Sequence, residues 1–184
     1  MDQDGLRDID DWQGKQDLSG TIYLAWRDEA LFVRIDVTDD IIIGCPRDKA
    51  PYLSDGVEVF IDGRAPDMQW QAERTLGTIQ YILSPMTDDF PSRLMIFGGS
   101  SVGHQWETRP TENGYIIEGR IPLTTQNFPA GSFTENRPIK LAVHLLDRDK
   151  GAGIGPSKIL AWGATISTGG NNRKEAATHA DTTG

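Results

Sequence analysis

The chain has 184 residues, 38% hydrophobic and 24% charged, with a formal net charge of −9. That length suits one well-buried domain and is short for two, and the composition is not that of a disordered chain. The acidic balance repels phosphate backbones and anionic lipid surfaces, so neither nucleic acid nor a membrane is expected as a partner; neutral polar ligands and divalent cations remain open.

Residues 1–15 read as an acidic lead-in, and Asp17-Leu18-Ser19-Gly20 then introduces a strand over residues 21–26. A tight turn at 27–30 leads to a second strand at 31–38, with Leu31, Val33, Ile35 and Val37 alternating inward, so the pair forms a β-hairpin. The following loop holds Asp39, Asp40 and Cys45, the single cysteine, which allows no internal disulfide and reads as a buried thiol. The strand at 57–62 places Val57, Val59 and Ile61 on one face and Glu58, Phe60 and Asp62 on the other, with Tyr52 and Asp55 just upstream. The acidic face is either a solvated exterior or the floor of a binding site.

Further strands are expected at 78–84, 93–97, 104–109, 115–121, 139–146 and 159–166, with a single helical turn at 122–127. Asn113-Gly114 is a hairpin turn signal and Pro122 a strand stop. Many short strands without interleaved helices predict an all-β, antiparallel β-sandwich of the jelly-roll or immunoglobulin-like kind, one domain over 1–184 with a flexible tail at 168–184. No apolar run reaches membrane-spanning length. The first twenty residues are unlike a secretory signal, so any export signal of the parent protein is expected outside this chain.

Asp39-Asp40 and Asp147-x-Asp149-x-Gly151 supply hard oxygens of the kind calcium selects, and Asp39, Asp40, Asp147 and Asp149 are the candidate ligands. A glycosidase pair is disfavoured, because Glu58 and Asp62 on one strand lie roughly 13 Å apart, beyond either hydrolysis geometry.

An ordered series of motifs carries a family resemblance. It comprises Asp17-Leu18-Ser19-Gly20, Leu24-Ala25-Trp26, Ala30-Leu31-Phe32-Val33 with Val37-Thr38-Asp39-Asp40, the stretch from Pro51 to Asp62, Gly114 to Pro122, Leu146-Asp147-Arg148-Asp149 and Leu160-Ala161-Trp162. The series resembles carbohydrate-binding module family 9 and the wider DOMON-like group of β-sandwiches. The resemblance implies a non-catalytic sugar-binding domain with structural calcium, joined to other domains of an extracellular or cell-envelope protein. It places Tyr52 at the ring-stacking position and Glu58 at the carboxylate that accepts hydrogen bonds from sugar hydroxyls. Gln80, His144, Asn172 and Arg173 are expected to complete the ligand contacts. The family's second stacking aromatic has no counterpart in residues 169–174, and the basic residue expected two places after Gln80 is Ile82. Two alternatives go with the resemblance: a degenerate member serving as a structural or interaction module, and a haem-binding domain using ligands such as Met68, Met86, Met95, His104 or His144.

Overall fold

The computed structural model describes residues 6–7, 12–27, 29–69, 75–132, 139–153 and 158–163. Among the described residues ten strands run in chain order: β1 Leu6–Arg7, β2 Leu18–Arg27, β3 Ala30–Asp39, β4 Gly56–Asp62, β5 Thr78–Ser84, β6 Arg93–Phe97, β7 Gln105–Thr111, β8 Gly114–Pro122, β9 Lys140–Asp147 and β10 Lys158–Gly163. The alternating hairpin forms first in the chain, with β2 and β3 paired from Leu18–Asp39 to Arg27–Ala30. The turn between them holds Glu29 at φ 58°, a left-handed conformation that a two-residue hairpin connection requires.

All pairings are antiparallel, and they close two sheets, ordered β1-β10-β9-β4-β5-β6 and β2-β3-β8-β7. The sandwich predicted from the alternating strands is therefore the fold. Its core lies between the inner faces: Leu31, Val33, Ile35 and Val37 of β3 and Ile117 and Ile121 of β8 face Val57, Val59, Ile61, Ile79, Tyr81, Leu83, Val143 and Leu145. Each such side chain contributes about 1.5–3 kcal/mol of burial.

Three local expectations change. Leu24 and Trp26 share parity with Ile22 yet are exposed, because β2 is the edge strand of its sheet and alternation there does not guarantee cover. The helical turn expected at 122–127 is instead the end of β8 and a turn in which Asn127 and Phe128 N–H groups donate to Thr124 O. A 3-10 turn forms at Pro51–Leu53, where the proline presets φ. The lead-in contributes β1, which pairs with β10, whereas residues 1–5 and 8–11, Asn172, Arg173 and the tail at 168–184 lie outside the described residues.

Candidate functional site

β4 carries carboxylates into three environments. Its core row of Val57, Val59 and Ile61 is fully buried, so Glu58, Phe60 and Asp62 face outward from the sandwich. Glu58 stands opposite His144 of β9 on one side and Ile82 of β5 on the other, and Phe60 stands opposite Gln80. Glu58 and Gln80 are thus diagonal neighbours, and Glu58, Gln80 and His144 share one patch of the sheet. The Glu58 side chain is 15% exposed and its Oε2 lies 3.3 Å from His144 Nδ1. The His144 ring rests against Phe60 with centroids 4.8 Å apart, and its Nε2 is buried with no partner among the described residues. A ring that donates from Nδ1 to Glu58 leaves Nε2 as an acceptor.

Tyr52 projects from the 3-10 turn and is 44% exposed. The turn is closed by Leu53 N–H donating to Ala50 O at 2.9 Å and Ser54 Oγ–H to Pro51 O at 2.8 Å, and it packs against β4, β5 and β6. Directly after it, a Cβ at Gly56 would lie 2.1 Å from Leu83 O, so only glycine lets β4 meet β5 this closely. The preceding loop is stapled by Arg93, whose Nη1 donates to Pro46 O at 2.8 Å and to Lys49 O, beside the fully buried Cys45. An exposed ring and a carboxylate thus lie six residues apart in the chain, and β9 brings a largely buried imidazole to the carboxylate.

The outward face is not a solvated one throughout. Asp62 is fully buried and takes a two-pronged grip from Arg64, Nε to Oδ1 at 3.0 Å and Nη2 to Oδ2 at 2.7 Å, with Arg64 N–H adding a third bond at 3.0 Å. Asp55 is also fully buried: it accepts the Ile43 N–H and, at 2.5 Å, the Arg148 N–H, tying two loops to the start of β4. Ile82, where the family resemblance placed a basic residue, is a buried apolar side chain.

The predicted calcium ligands gather at one end of the sandwich. Asp39 and Asp147 are buried, Asp149 is half-buried and Asp40 is exposed. The structure adds three residues the motif reading missed: Asp17 before β2, Asp55 before β4 and Lys158 at the start of β10. Lys158 Nζ lies 2.6 Å from Asp17 Oδ1, 2.6 Å from Asp149 Oδ2 and 3.1 Å from Asp147 Oδ2. Asp39 Oδ2, both Asp147 oxygens and Asp149 Oδ1 are buried without a well-formed hydrogen bond. Oxygens of Asp17, Asp40 and Asp149 fall within 4.8 Å of one another.

Crowding like charges away from water favours their protonated forms. Burial, then the charges of Asp55 and Asp147, push Asp39 up to about 9. Burial is likewise the main cause for Asp55, raised to about 8, and for Asp147, raised to about 7 despite the opposing hydrogen bond from Lys158. For Lys158 burial opposes the charge, but hydrogen bonds to Asp149, Asp17 and Asp147 outweigh it and hold the ammonium protonated.

Two antiparallel sheets packed face to face, one of them carrying a carboxylate–imidazole pair on its outer side, define a β-sandwich module. The model of a family described as carbohydrate family 9 binding domain-like matches residues 5–177, and the chain belongs to that family. No curated protein sequence matches the chain. Among solved structures, a family 9 carbohydrate-binding module from Caldicellulosiruptor kristjanssonii in complex with cellotriose superposes with a TM-score of 0.56 at 18% identity, over 81% of this chain and 67% of that one. A family 9 module from the same organism in complex with glucose gives 0.52 at 18% identity, over 80% and 68%. At that identity the likeness speaks for the fold alone.

Proposed function

We propose that this chain is a non-catalytic carbohydrate-binding domain of a larger extracellular or cell-envelope protein. The observation that carries the reading is an exposed Tyr52 ring on the turn that leads into β4, together with the Glu58–His144 pair farther along that strand. A pyranose presents a flat C–H face and a rim of hydroxyls, and it calls for an aromatic plane with convergent polar groups. Tyr52 supplies the plane. Glu58 accepts from hydroxyls while its pairing with His144 Nδ1 holds it in place, and Gln80 adds a polar contact nearby. Membership of a sugar-binding family and the sugars held by the two structural relatives support the choice of ligand.

The same carboxylates support the non-catalytic reading. Hydrolysis needs two carboxyl groups facing one bond at a set separation. Asp62 is locked to Arg64 and Asp55 to two backbone N–H groups, so neither joins Glu58 in such a pair. We further read the acidic end as a structural calcium site. Hard carboxylate oxygens are the donors calcium takes, and the buried Asp39 Oδ2, Asp147 Oδ1 and Asp149 Oδ1, which lack a hydrogen bond, fit that need. Asp40 and Asp17 lie within reach. The ion would offset buried charge and hold three segments together, those before β2, after β3 and after β9; it takes no part in sugar contact.

Titration calorimetry with glucose, xylose and their β-linked oligosaccharides tests the sugar reading. Saturable binding that weakens roughly tenfold or more in Tyr52→Ala, about 1.4 kcal/mol or above, is expected. No sugar bound at millimolar concentration, or binding unchanged by Tyr52→Ala, would end it.

A further inference from the structure

The outward face of the four-stranded sheet, on the opposite side of the sandwich from Glu58, carries a cleft of about 720 Å³. Strand register builds it from two rows of side chains. Tyr23, Arg34, Glu118 and Glu107 stand opposite one another across β2, β3, β8 and β7, and Ala25, Phe32, Arg120 and Gln105 form the next outward row. Between them Leu24, Val33, Gly119 and Trp106 have the other parity, so backbone makes the floor. A Cβ at Gly119 would lie 2.3 Å from the Trp106 ring, which shows how tightly that floor is backed from inside. Rows two residues apart leave a channel about 7 Å wide that crosses four strands over roughly 14 Å.

Its chemistry is specific. Tyr23 is 52% and Phe32 38% exposed, two rings beside an open channel. Arg34 is held in place: Nε and Nη2 donate to Asp36 at 2.7 and 3.1 Å, Nη1 donates to Glu118 at 3.3 Å, and the guanidinium lies 5.8 Å from the Tyr23 ring centroid. Arg120 Nη1 donates to Gly103 O at 3.3 Å across the channel mouth. Two arginines and two glutamates among the lining residues balance, although the whole chain carries −9. A neutral cleft on an acidic protein disfavours a charged partner of either sign, and aromatic planes between fixed planar polar groups match rings edged with hydroxyls.

We propose that this cleft is a second saccharide site, which takes a short length of neutral glycan chain lying across the strands. It rests on the sugar-binding reading above for the class of ligand, while the cleft itself stands on register and charge. Oligosaccharides of β-1,4-glucan and β-1,4-xylan are titrated into wild type, Tyr52→Ala and Phe32→Ala, with backbone amide shifts followed by NMR and self-association by sedimentation. The expected result is a set of shifted amides on β2, β3 and β8 that survives in Tyr52→Ala and whose affinity drops about tenfold in Phe32→Ala. Shifts around Glu58 persist in Phe32→Ala. If Phe32→Ala loses the native spectrum, Tyr23→Ala serves in its place, since that ring is the more exposed. Shifts confined to the Glu58 face, unaltered by either cleft variant, overturn the second site and leave the first standing. Binding that ignores Tyr52→Ala and vanishes in Phe32→Ala supports the cleft and overturns the first. Self-association through the cleft without sugar, abolished by Phe32→Ala, identifies a protein contact and overturns the proposal.

Discussion

At the far end of β4, Asp62 is buried against Arg64, carboxylate against guanidinium at 2.7 Å. At the near end, Asp55 is equally buried but shares its surroundings with Asp17, Asp39, Asp147 and Asp149, and Lys158 is the one ammonium among them. Burial is the same; the charge balance is not. A paired carboxylate needs nothing from outside, whereas a cluster with surplus negative charge takes up protons or a cation. Glu58 lies between the two ends, neither sealed nor crowded, and is the carboxylate of β4 that a ligand can reach.

Removing one partner of the balanced pair produces the largest effect. Asp62→Ala strands a buried guanidinium and should cost about 3–5 kcal/mol in denaturant unfolding. Arg64→Met with Asp62→Leu, which removes both charges, should recover much of that loss. If Asp62→Ala costs less than the cost of an exposed pair, the contrast between the two ends collapses.

Calcium should act at the near end only. At a free concentration 100 times its dissociation constant it would raise stability by about 2.7 kcal/mol, read as a higher melting temperature than in chelator. A melting temperature indifferent to chelator would contradict the site. Calcium should stabilise Asp62→Ala to the same extent as wild type, because that carboxylate belongs to the other end.

Acidity sharpens the difference further. In chelator, Asp39, Asp55 and Asp147 have folded pKa values above their unfolded values, so the folded state binds more protons through the window from about pH 4 to pH 9. Stability in chelator should therefore fall as pH rises across that window, and saturating calcium should flatten the slope. A chelator profile that rises from pH 5 to pH 8 would show that the carboxylates are charged and satisfied without an ion.

The smallest effect belongs to an exposed pair. Arg34 and Asp36 are 40% and 34% exposed at the side chain, so Arg34→Met should change stability by no more than about 1 kcal/mol. A cost comparable to that of Asp62→Ala would mean that burial is not what separates these pairs.

The fold was legible because nearly every strand is either strictly alternating or stopped by a turn residue. β5 and β6 have the predicted bounds, and β4 and β8 differ from theirs by one residue at one or both ends. β2 defeated the pattern, since an edge strand keeps its alternation after losing its cover. Of the sugar-site candidates, Glu58 and His144 meet because β4 and β9 pair, and no local spacing announces a contact across 86 residues. Asp62 illustrates the limit most clearly: its partner stands two places away in sequence, yet only the loop fold shows that Arg64 turns back onto it. Lys158 was invisible, because a lone lysine carries no signal until β10 delivers it among the aspartates.

If Tyr52, Glu58 and His144 serve one sugar site, a cellotriose titration followed by backbone amide and imidazole shifts will report it. Saturable shifts are expected at residues 52–58 and 80 and at the His144 ring, lost in Tyr52→Ala and weakened in Glu58→Gln. Saturable binding that leaves those signals in place would contradict it.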